Sequence, residues 1–215
     1  MQAKASKKTK AKIPPTKGER PFWLVLDVHG VLIQSSERWI MTLLSKRTHQ
    51  PKWLMYLRWM ANIRLAQKGK MQAKAFYEKV LDQKLTQKEF NEWVMKGYAM
   101  RGDIPFLIMK ELIRLKKEGW KLAILSDMNT AQAEFHRNKT HFSIFDEVFI
   151  SCETGLMKPY PGAFSAFEKR LKTRKDHIVF CDDLWFNSFG AMLHGWRAVT
   201  IKGHKQLEHF LKDLH

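Results

Sequence analysis

The chain has 215 residues, of which 45% are hydrophobic and 27% are charged. This length and composition suit one folded domain with a small insertion and exclude a disordered or collagen-like protein. The 38 Lys and Arg residues exceed the 21 Asp and Glu residues by 17, so the sequence favours an anionic partner. Cys152 and Cys181 lack the spacing of zinc ligands or of a disulfide framework, which favours a reducing, cytoplasmic setting.

The first twenty residues contain seven basic residues and one acidic residue, without the apolar stretch of a secretory signal. We therefore predict a disordered basic tail over residues 1–20. The longest apolar run, residues 22–33, is interrupted by Asp27 and His29 and is shorter than the roughly 18 to 20 residues that span a bilayer. The sequence thus predicts no membrane-spanning segment and no membrane partner.

Residues 22–28 are rich in β-forming side chains and lead into His29-Gly30, which is typical of a buried parallel strand followed by a tight turn. Residues 34–101 have helical periodicity instead and predict about four helices. The breaks between these helices lie near residues 49–51, 68–70 and 85–86. The helical block holds fourteen basic and five acidic residues. Its net positive charge is consistent with a solvated lysine-rich surface and also with attraction of an anion.

After the helical block, Asp103 has the character of an N-cap for a helix over residues 104–118, with Pro105 in its first turn. Strands and helices then alternate. We predict strands at 121–126, 147–151, 177–181 and 198–201, and helices at 130–137, 161–171, 186–194 and 205–212. This alternation predicts an α/β fold, a Rossmann-like three-layer parallel sheet with helices on both faces. The core would comprise residues 21–33 and 102–215, with 34–101 as an inserted all-helical cap.

Polar residues follow four of the predicted strands at the edge where open parallel sheets bind ligands. They are Asp27, Ser126, the loop 155–159 and the pair Asp182-Asp183. A single Ser or Asp after a strand often only caps the next helix. The four together, in this order, point to a catalytic site. Asp127 and Asn129 are better explained as turn and cap residues, and Asn187 fits either a cap or a support for the site.

These residues resemble the signatures of the haloacid dehalogenase superfamily of hydrolases, in the subgroup with a helical cap after the first strand. The matching segments are Asp27-Val28-His29-Gly30-Val31, Ser126, the S-x-E-T-G-L-x-K-P-x-P-x-x-F pattern of Ser151–Phe164, and Asp182, Asp183 and Asn187. The resemblance spans residues 22–202. It implies a magnesium-dependent phosphatase, a phosphoric monoester hydrolase that acts on a small phosphorylated or otherwise anionic substrate.

The resemblance also implies roles for individual residues. Asp27 would be the nucleophile that forms an aspartyl phosphate. The implied Mg²⁺ ligands are Asp27, Asp182, Asp183 and the backbone carbonyl of His29. The implied phosphate-binding groups are the Ser126 hydroxyl, the Lys158 ammonium and backbone N–H groups near Asp127 and Gly30.

His29 is the main departure from the resemblance, because phosphatases of this superfamily usually carry Asp two residues after the nucleophile. A histidine can also donate a proton to a leaving group and later accept one from water, so His29 is a candidate general acid and base. Two alternatives remain open: a dehalogenase-like enzyme, whose halide leaving group needs no proton, and a catalytically weakened protein. The Asp182-Asp183 pair argues against the first, since halide displacement needs no divalent metal.

The cap is the expected source of substrate specificity. Its aromatic residues are better explained as core than as a ligand platform: Trp39, Trp53, Tyr56, Trp59 and Trp93. Its candidate anion contacts are Arg38, Arg58 and Arg64. Basic residues interleaved with aromatic residues also leave a nucleic-acid-associated protein as an alternative, although no established motif is present. A monomer and a homodimer are equally compatible with the sequence.

Overall fold

The computed structural model describes residues 22–100, 102–139 and 141–214, and the predicted tail lies outside these residues. A five-stranded parallel sheet forms its centre, in the order β3-β2-β1-β4-β5. The strands are β1 (Trp23–Leu26), β2 (Lys121–Ser126), β3 (Glu147–Ile150), β4 (Ile178–Asp182) and β5 (Arg197–Thr200). Strands β2 and β3, which follow β1 in the sequence, lie on one side of it, and β4 and β5 lie on the other side. The strand order therefore reverses between β1 and β4, which is where such sheets bind ligands.

The helical insertion follows β1. Its elements are α1 (Glu37–Thr48), α2 (Lys52–Gln67), α3 (Ala73–Leu81), and a last helix made of α4 (Gln87–Phe90), a π-helical turn (Asn91–Met95) and α5 (Lys96–Ala99). These match the four predicted helices. The insertion has a hydrophobic core of its own, which includes Ile40, Phe76 and Val94.

The helices that cover the sheet are α6 (Phe106–Lys117), α7 (Thr130–Asn138), α8 (Ser151–Thr154), α9 (Pro161–Leu171), α10 (Trp185–His194) and α11 (His204–Lys212). Successive side chains of β1 point to opposite faces of the sheet. Leu24 and Leu26 pack with Leu112 of α6 on one face, whereas Val25 packs with Phe164 of α9 on the other. The predicted three-layer α/β fold is confirmed.

The cap is tied to the core mainly through α7. Tyr98 of α5 accepts a hydrogen bond from Asn129 Nδ2 at 3.3 Å, and Glu37 of α1 accepts one from Gln132 Nε2 at 3.2 Å. Asn129 also caps α7, as predicted, because its side chain accepts the Gln132 backbone N–H at 3.0 Å. The beginning of α7 is therefore fixed against the cap as well as against the sheet.

The predicted N-cap at Asp103 is wrong. The helix begins two residues later than predicted, at Phe106, and Pro105 is the N-cap with extended backbone angles. Asp103 instead accepts a hydrogen bond from the Nε2 atom of His141 at 2.8 Å. No helix in the described part of the chain is long and apolar enough to cross a membrane.

Candidate active site

The Asp27 carboxylate lies at the carboxyl end of β1, where the strand order reverses. Leu26 of β1 pairs with Cys181 of β4, so the next residues, Asp27 and Asp182, lie side by side at the ends of these two strands. Three donors bind the Oδ1 atom of Asp27: the Val28 backbone N–H at 2.8 Å, the Ser126 hydroxyl at 2.5 Å and the Lys158 ammonium at 3.1 Å. These contacts hold the carboxylate in one orientation.

Lys158 reaches the same point from the loop between α8 and α9. Its ammonium also contacts Asp182 Oδ2 at 2.6 Å, and its side chain is only 1% exposed. Burial alone lowers the pKa of Lys158, but the carboxylates of Asp182, Asp27 and Asp127 outweigh burial and hold that pKa well above its ordinary value. Lys158 is therefore a fixed cation within the site, as the resemblance implies.

The carboxylates outnumber this single buried cation. Burial is the largest cause that raises the pKa of the neighbouring carboxyl groups. The pKa of Asp27 lies above its ordinary value, the pKa of Asp127 is raised to about 7, and the pKa of Asp183 is raised to about 6. Mutual repulsion between the carboxylates raises these values further, whereas Lys158 lowers them. One oxygen each from Asp27, Asp182 and Asp183 lies within 4.8 Å of the others. Clustered carboxylate oxygens with unbalanced negative charge fit a hard divalent cation such as Mg²⁺.

Asp182 and Asp183 differ in their burial and in the number of hydrogen bonds that their carboxylates accept from the protein. Asp182 is fully buried, and its Oδ1 atom accepts hydrogen bonds from the Leu184 N–H at 2.9 Å and from Asn187 Nδ2 at 3.0 Å. Asn187 therefore supports the site rather than capping α10. The side chain of Asp183 is half-buried and accepts no hydrogen bond from another side chain in the described residues. Asp183 is thus the carboxylate most open to a metal ion.

Gly30 allows the turn after β1 to lie against Asp183. It has a φ of +85°, and a Cβ atom at this position would overlap the Asp183 carboxylate. One expectation needs correction here. The Gly30 N–H, predicted to bind a phosphoryl oxygen, donates to the Ile33 carbonyl at 2.7 Å. The turn closes on itself through this bond, so that amide is not available to a ligand.

A cavity of about 560 Å³ opens onto these residues between the core and the cap. The residues that line it include Asp27, His29, Asp127, Lys158 and Asp183. The Nε2 atom of His29 lies 3.1 Å from the Nε2 atom of the buried His136. His29 thus borders both the cavity and the protein interior.

Among the candidate cap residues, Arg64 and Trp59 line the cavity. Arg64 also donates to the Tyr160 hydroxyl and lies 5.2 Å from the centre of its ring. The other arginines do not line it: Arg38 is exposed, and Arg58 pairs with Asp82 at 2.8 Å. Of the three arginines, Arg64 alone is placed to contact a substrate.

Most of the aromatic residues singled out in the cap are packed against its core, and one is exposed. Trp39, Tyr56, Trp59 and Trp93 pack against the cap core, as predicted. The prediction is wrong for Trp53, which is 65% exposed. The helical period places Trp53 on the solvent side of α2, a face that the sequence does not distinguish from the buried one because both are apolar.

Sequence reasoning missed several cavity residues. Glu37 and Gln67 line the cavity from the first two cap helices, and Tyr160 and Phe186 line it from the core. Only Tyr160 carried a signal, since it lies inside the matched Ser151–Phe164 pattern. The others are ordinary helix residues until the cap is folded onto the core.

The family model for haloacid dehalogenase-like hydrolases matches residues 23–185. The chain belongs to this family. Glyceraldehyde 3-phosphate phosphatase of Pyrococcus furiosus is 29% identical to it over 130 residues, which are 56% of this chain and 54% of that protein. The chain therefore aligns with about half the length of this curated relative.

Three solved structures of two different enzymes show the shared fold. A haloacid dehalogenase family enzyme of Bacteroides thetaiotaomicron has a TM-score of 0.74 and 20% identity, over 87% of this chain and 97% of that one. The same enzyme has been solved with magnesium and inorganic phosphate, with a TM-score of 0.67, 20% identity and coverage of 85% and 96%. L-2-haloacid dehalogenase of Xanthobacter autotrophicus has a TM-score of 0.60 and 16% identity, over 83% of this chain and 76% of that one.

Proposed function

We propose that the protein is a magnesium-dependent phosphatase that hydrolyses a small phosphate ester through an aspartyl phosphate on Asp27. The observation that carries this proposal is the excess of buried and half-buried carboxylates over the cation Lys158 among the residues that line the cavity. A dehalogenase needs no metal, and four carboxylates in one site would then only repel its carboxylate substrate. The curated phosphatase relative and the magnesium and phosphate complex of a structural neighbour support the same assignment.

In this mechanism the Asp27 carboxylate attacks phosphorus while the leaving oxygen departs on the opposite side. The Val28 N–H, Ser126 and Lys158 keep the carboxylate from rotating, which favours an in-line approach. Lys158 also offsets the charge that builds on the phosphoryl oxygens. Bound Mg²⁺, held by Asp27, Asp182, Asp183 and the His29 carbonyl, would reduce the repulsion between the two reacting anions.

His29 would give a proton to the leaving oxygen and then take one from the water that hydrolyses the aspartyl phosphate. The cavity of about 560 Å³ suits a small ester rather than a polymer. Arg64 and Trp59, which line the cavity from the cap, favour a substrate with a second anionic or polar group. Cytoplasmic localisation belongs to the same proposal, since a reducing compartment suits the two free cysteines.

The test is a panel of alkyl and aryl phosphate esters assayed with Mg²⁺ and with chelator. We expect metal-dependent release of phosphate that Asp27→Asn abolishes, while Asp176→Asn, at an exposed aspartate far from the cavity, retains it. Phosphate release that persists in chelator would contradict the metal requirement. If no ester is hydrolysed and the protein instead binds nucleic acid with a steep salt dependence, the proposal fails.

A further inference from the structure

Two helices that border the cavity, α2 of the cap and α10 of the core, expose apolar faces to solvent. The exposed apolar side chains of α2 recur at the helical period, and they are Trp53, Leu57, Met60 and Leu65. Those of α10 recur in the same way, and they are Trp185, Phe186, Phe189, Met192 and Leu193. Each helix therefore presents large apolar side chains that no other described part of the chain covers.

The two faces flank the mouth of the cavity. Arg64 of α2 and Phe186 of α10 both line the cavity, and so does Tyr160. Arg64 donates a hydrogen bond to the Tyr160 hydroxyl. Gly190 of α10 lies so close to Pro159 that a Cβ atom on it would be 2.9 Å from the Pro159 Cβ atom. Residues 159–160 thus connect α2 to α10 beside one opening.

Together the two faces exceed the apolar patches of ordinary monomers. Their nine side chains are each 40% to 74% exposed. At about 200 Å² per side chain they present about 1,000 Å² of surface in total. The largest apolar patch of a typical monomer covers about 300–600 Å². Apolar surface in excess of this marks a site that binds a partner or a membrane.

The charge on these helices favours an anionic partner. Residues 52–70 contain five basic residues and neither Asp nor Glu. Residues 184–195 contain no Asp or Glu either. The helical period places Arg64 and Lys68 on the exposed side of α2, among the apolar side chains. Basic residues beside exposed Trp and Leu, without acidic residues, are typical of helices that lie on anionic membranes.

A lipid surface fits these faces better than a second copy of the chain does. Each copy carries a net charge of +17, and a symmetric contact would bring two basic α2 faces together, where like charges repel. The apolar side chains protrude from two helices and flank an opening. A membrane interface accepts protruding Trp, Phe and Leu side chains without a matching shape, and lipid phosphates pair with Lys and Arg at the same depth.

We propose that the exposed faces of α2 and α10 bind an anionic lipid surface and hold the mouth of the cavity toward it. This interaction goes beyond the phosphatase function and does not depend on it, because binding to lipid needs no turnover. The sequence predicts no membrane partner, since no segment is long enough to span a bilayer. A helix that lies along a lipid surface needs no spanning segment, so we revise that prediction for a peripheral contact.

The test is flotation of the full chain with lipid vesicles. One set contains phosphatidylcholine alone, and the other contains about one third phosphatidylglycerol, which is anionic. We expect the partition coefficient to be about tenfold to a hundredfold higher for the anionic vesicles, and this difference to shrink at high salt. A partition coefficient that is the same for both vesicles would contradict an anionic lipid surface as the partner.

Apolar variants show which surface binds, because the basic residues at the start of the chain also favour anionic vesicles. Trp185→Ser combined with Leu193→Ser should lower the partition coefficient by about tenfold to a hundredfold. Trp53→Ser combined with Leu57→Ser should have an effect of similar size. The four side chains are exposed, so the variants should keep the Tm of the wild type, and calorimetry without vesicles checks this.

Phe106→Ser combined with Leu107→Ser is the matched control. These side chains of α6 are 78% and 51% exposed, comparable to those of α10. They lie elsewhere, however, because α6 packs on the opposite face of the sheet from α10. The control variant should bind vesicles as the wild type does. An equal loss in the control would show that binding follows general hydrophobicity, which would contradict the proposal.

Two other outcomes would overturn the proposal. Vesicle binding that is unchanged in both pairs of variants would assign the binding to charge alone. Absence of vesicle binding, with a dimer in analytical ultracentrifugation that the α10 variants dissociate, would assign the face to a second copy of the chain. If the protein hydrolyses phosphate esters but binds no vesicles, only this proposal fails, and if it binds vesicles but hydrolyses no ester, only the phosphatase function fails.

Discussion

Replacing Lys158 with Met tests whether the site depends on a cation to balance its carboxylates. Met keeps the unbranched shape of the side chain and removes the ammonium. In the wild type the ammonium lies 2.6 Å from the fully buried Asp182 and 3.1 Å from Asp27, whose side chain is 10% exposed. The substitution leaves both carboxylates without this cation. Removing one partner of a buried ion pair costs about 3–5 kcal/mol, so we expect a loss of this size in metal-free unfolding free energy.

Magnesium should restore much of that loss. A ligand at a hundred times its Kd stabilises the folded state by about 2.7 kcal/mol. Lys158→Met should gain more than the wild type at equal Mg²⁺, because the ammonium no longer repels the metal ion. The assay is urea unfolding with and without Mg²⁺.

The control is Lys116→Met, which removes a partly exposed pair with Asp146 at 3.2 Å and a hydrogen bond to the Ile144 carbonyl at 2.7 Å. It should cost about 1–2 kcal/mol without changing the Mg²⁺ effect. Equal losses in Lys158→Met and Lys116→Met, or an Mg²⁺ effect that is the same in both, would refute the charge-balance argument.

Three further predictions concern the acidic site and one carboxylate of the cap. Asp183→Asn should raise the metal-free Tm, because it removes a carboxylate that is repelled by its neighbours, and should weaken Mg²⁺ binding. Asp182→Asn should lower the Tm, because Asp182 accepts bonds from Lys158, Leu184 and Asn187. Calorimetry with Mg²⁺ titration measures both effects. Gly30→Ala should cost about 1–3 kcal/mol in urea unfolding and weaken Mg²⁺ binding, since its φ is +85° and its Cβ would overlap the Asp183 carboxylate. Hydrogen bonds from Lys74 and the Leu85 N–H lower the pKa of Glu78 from 4.5 to about 2. The ionised Glu78 therefore stabilises the folded state above pH 4.5, and this contribution is lost as the pH falls toward 2. Glu78→Gln should reduce the change of Tm with pH over that range.

The strand ends were the part of the site that sequence reasoning could locate. Parallel strands bring their carboxyl ends to one edge, so Asp27, Ser126 and Asp182 could be placed together before any packing was known. Lys158 could be added only through the family resemblance, because the loop that carries it has no regular period. Its contacts with Asp27 and Asp182 depend on how the segment between α8 and α9 folds over the sheet.

The contacts that link His29 to His136, His136 to His141 and His141 to Asp103 could not be anticipated from local sequence pattern. His136 lies on a core helix, His141 lies in the loop after it, and Asp103 lies in the connection from the cap back to the core. None of these positions has an unusual neighbour in sequence, and Asp103 even has the local character of a helix cap. Their contact with His29 arises from long-range packing alone.

The most direct test of the account is acid quenching of the protein during turnover of its best phosphate ester with Mg²⁺, followed by mass spectrometry of the proteolytic peptides. The expected result is one added phosphoryl group on the peptide that contains Asp27, formed and lost at the rate of turnover and absent in Asp27→Asn. Turnover without this adduct under conditions where its hydrolysis is rate-limiting, or a phosphoryl group on another residue, would contradict the assignment of Asp27 as the nucleophile.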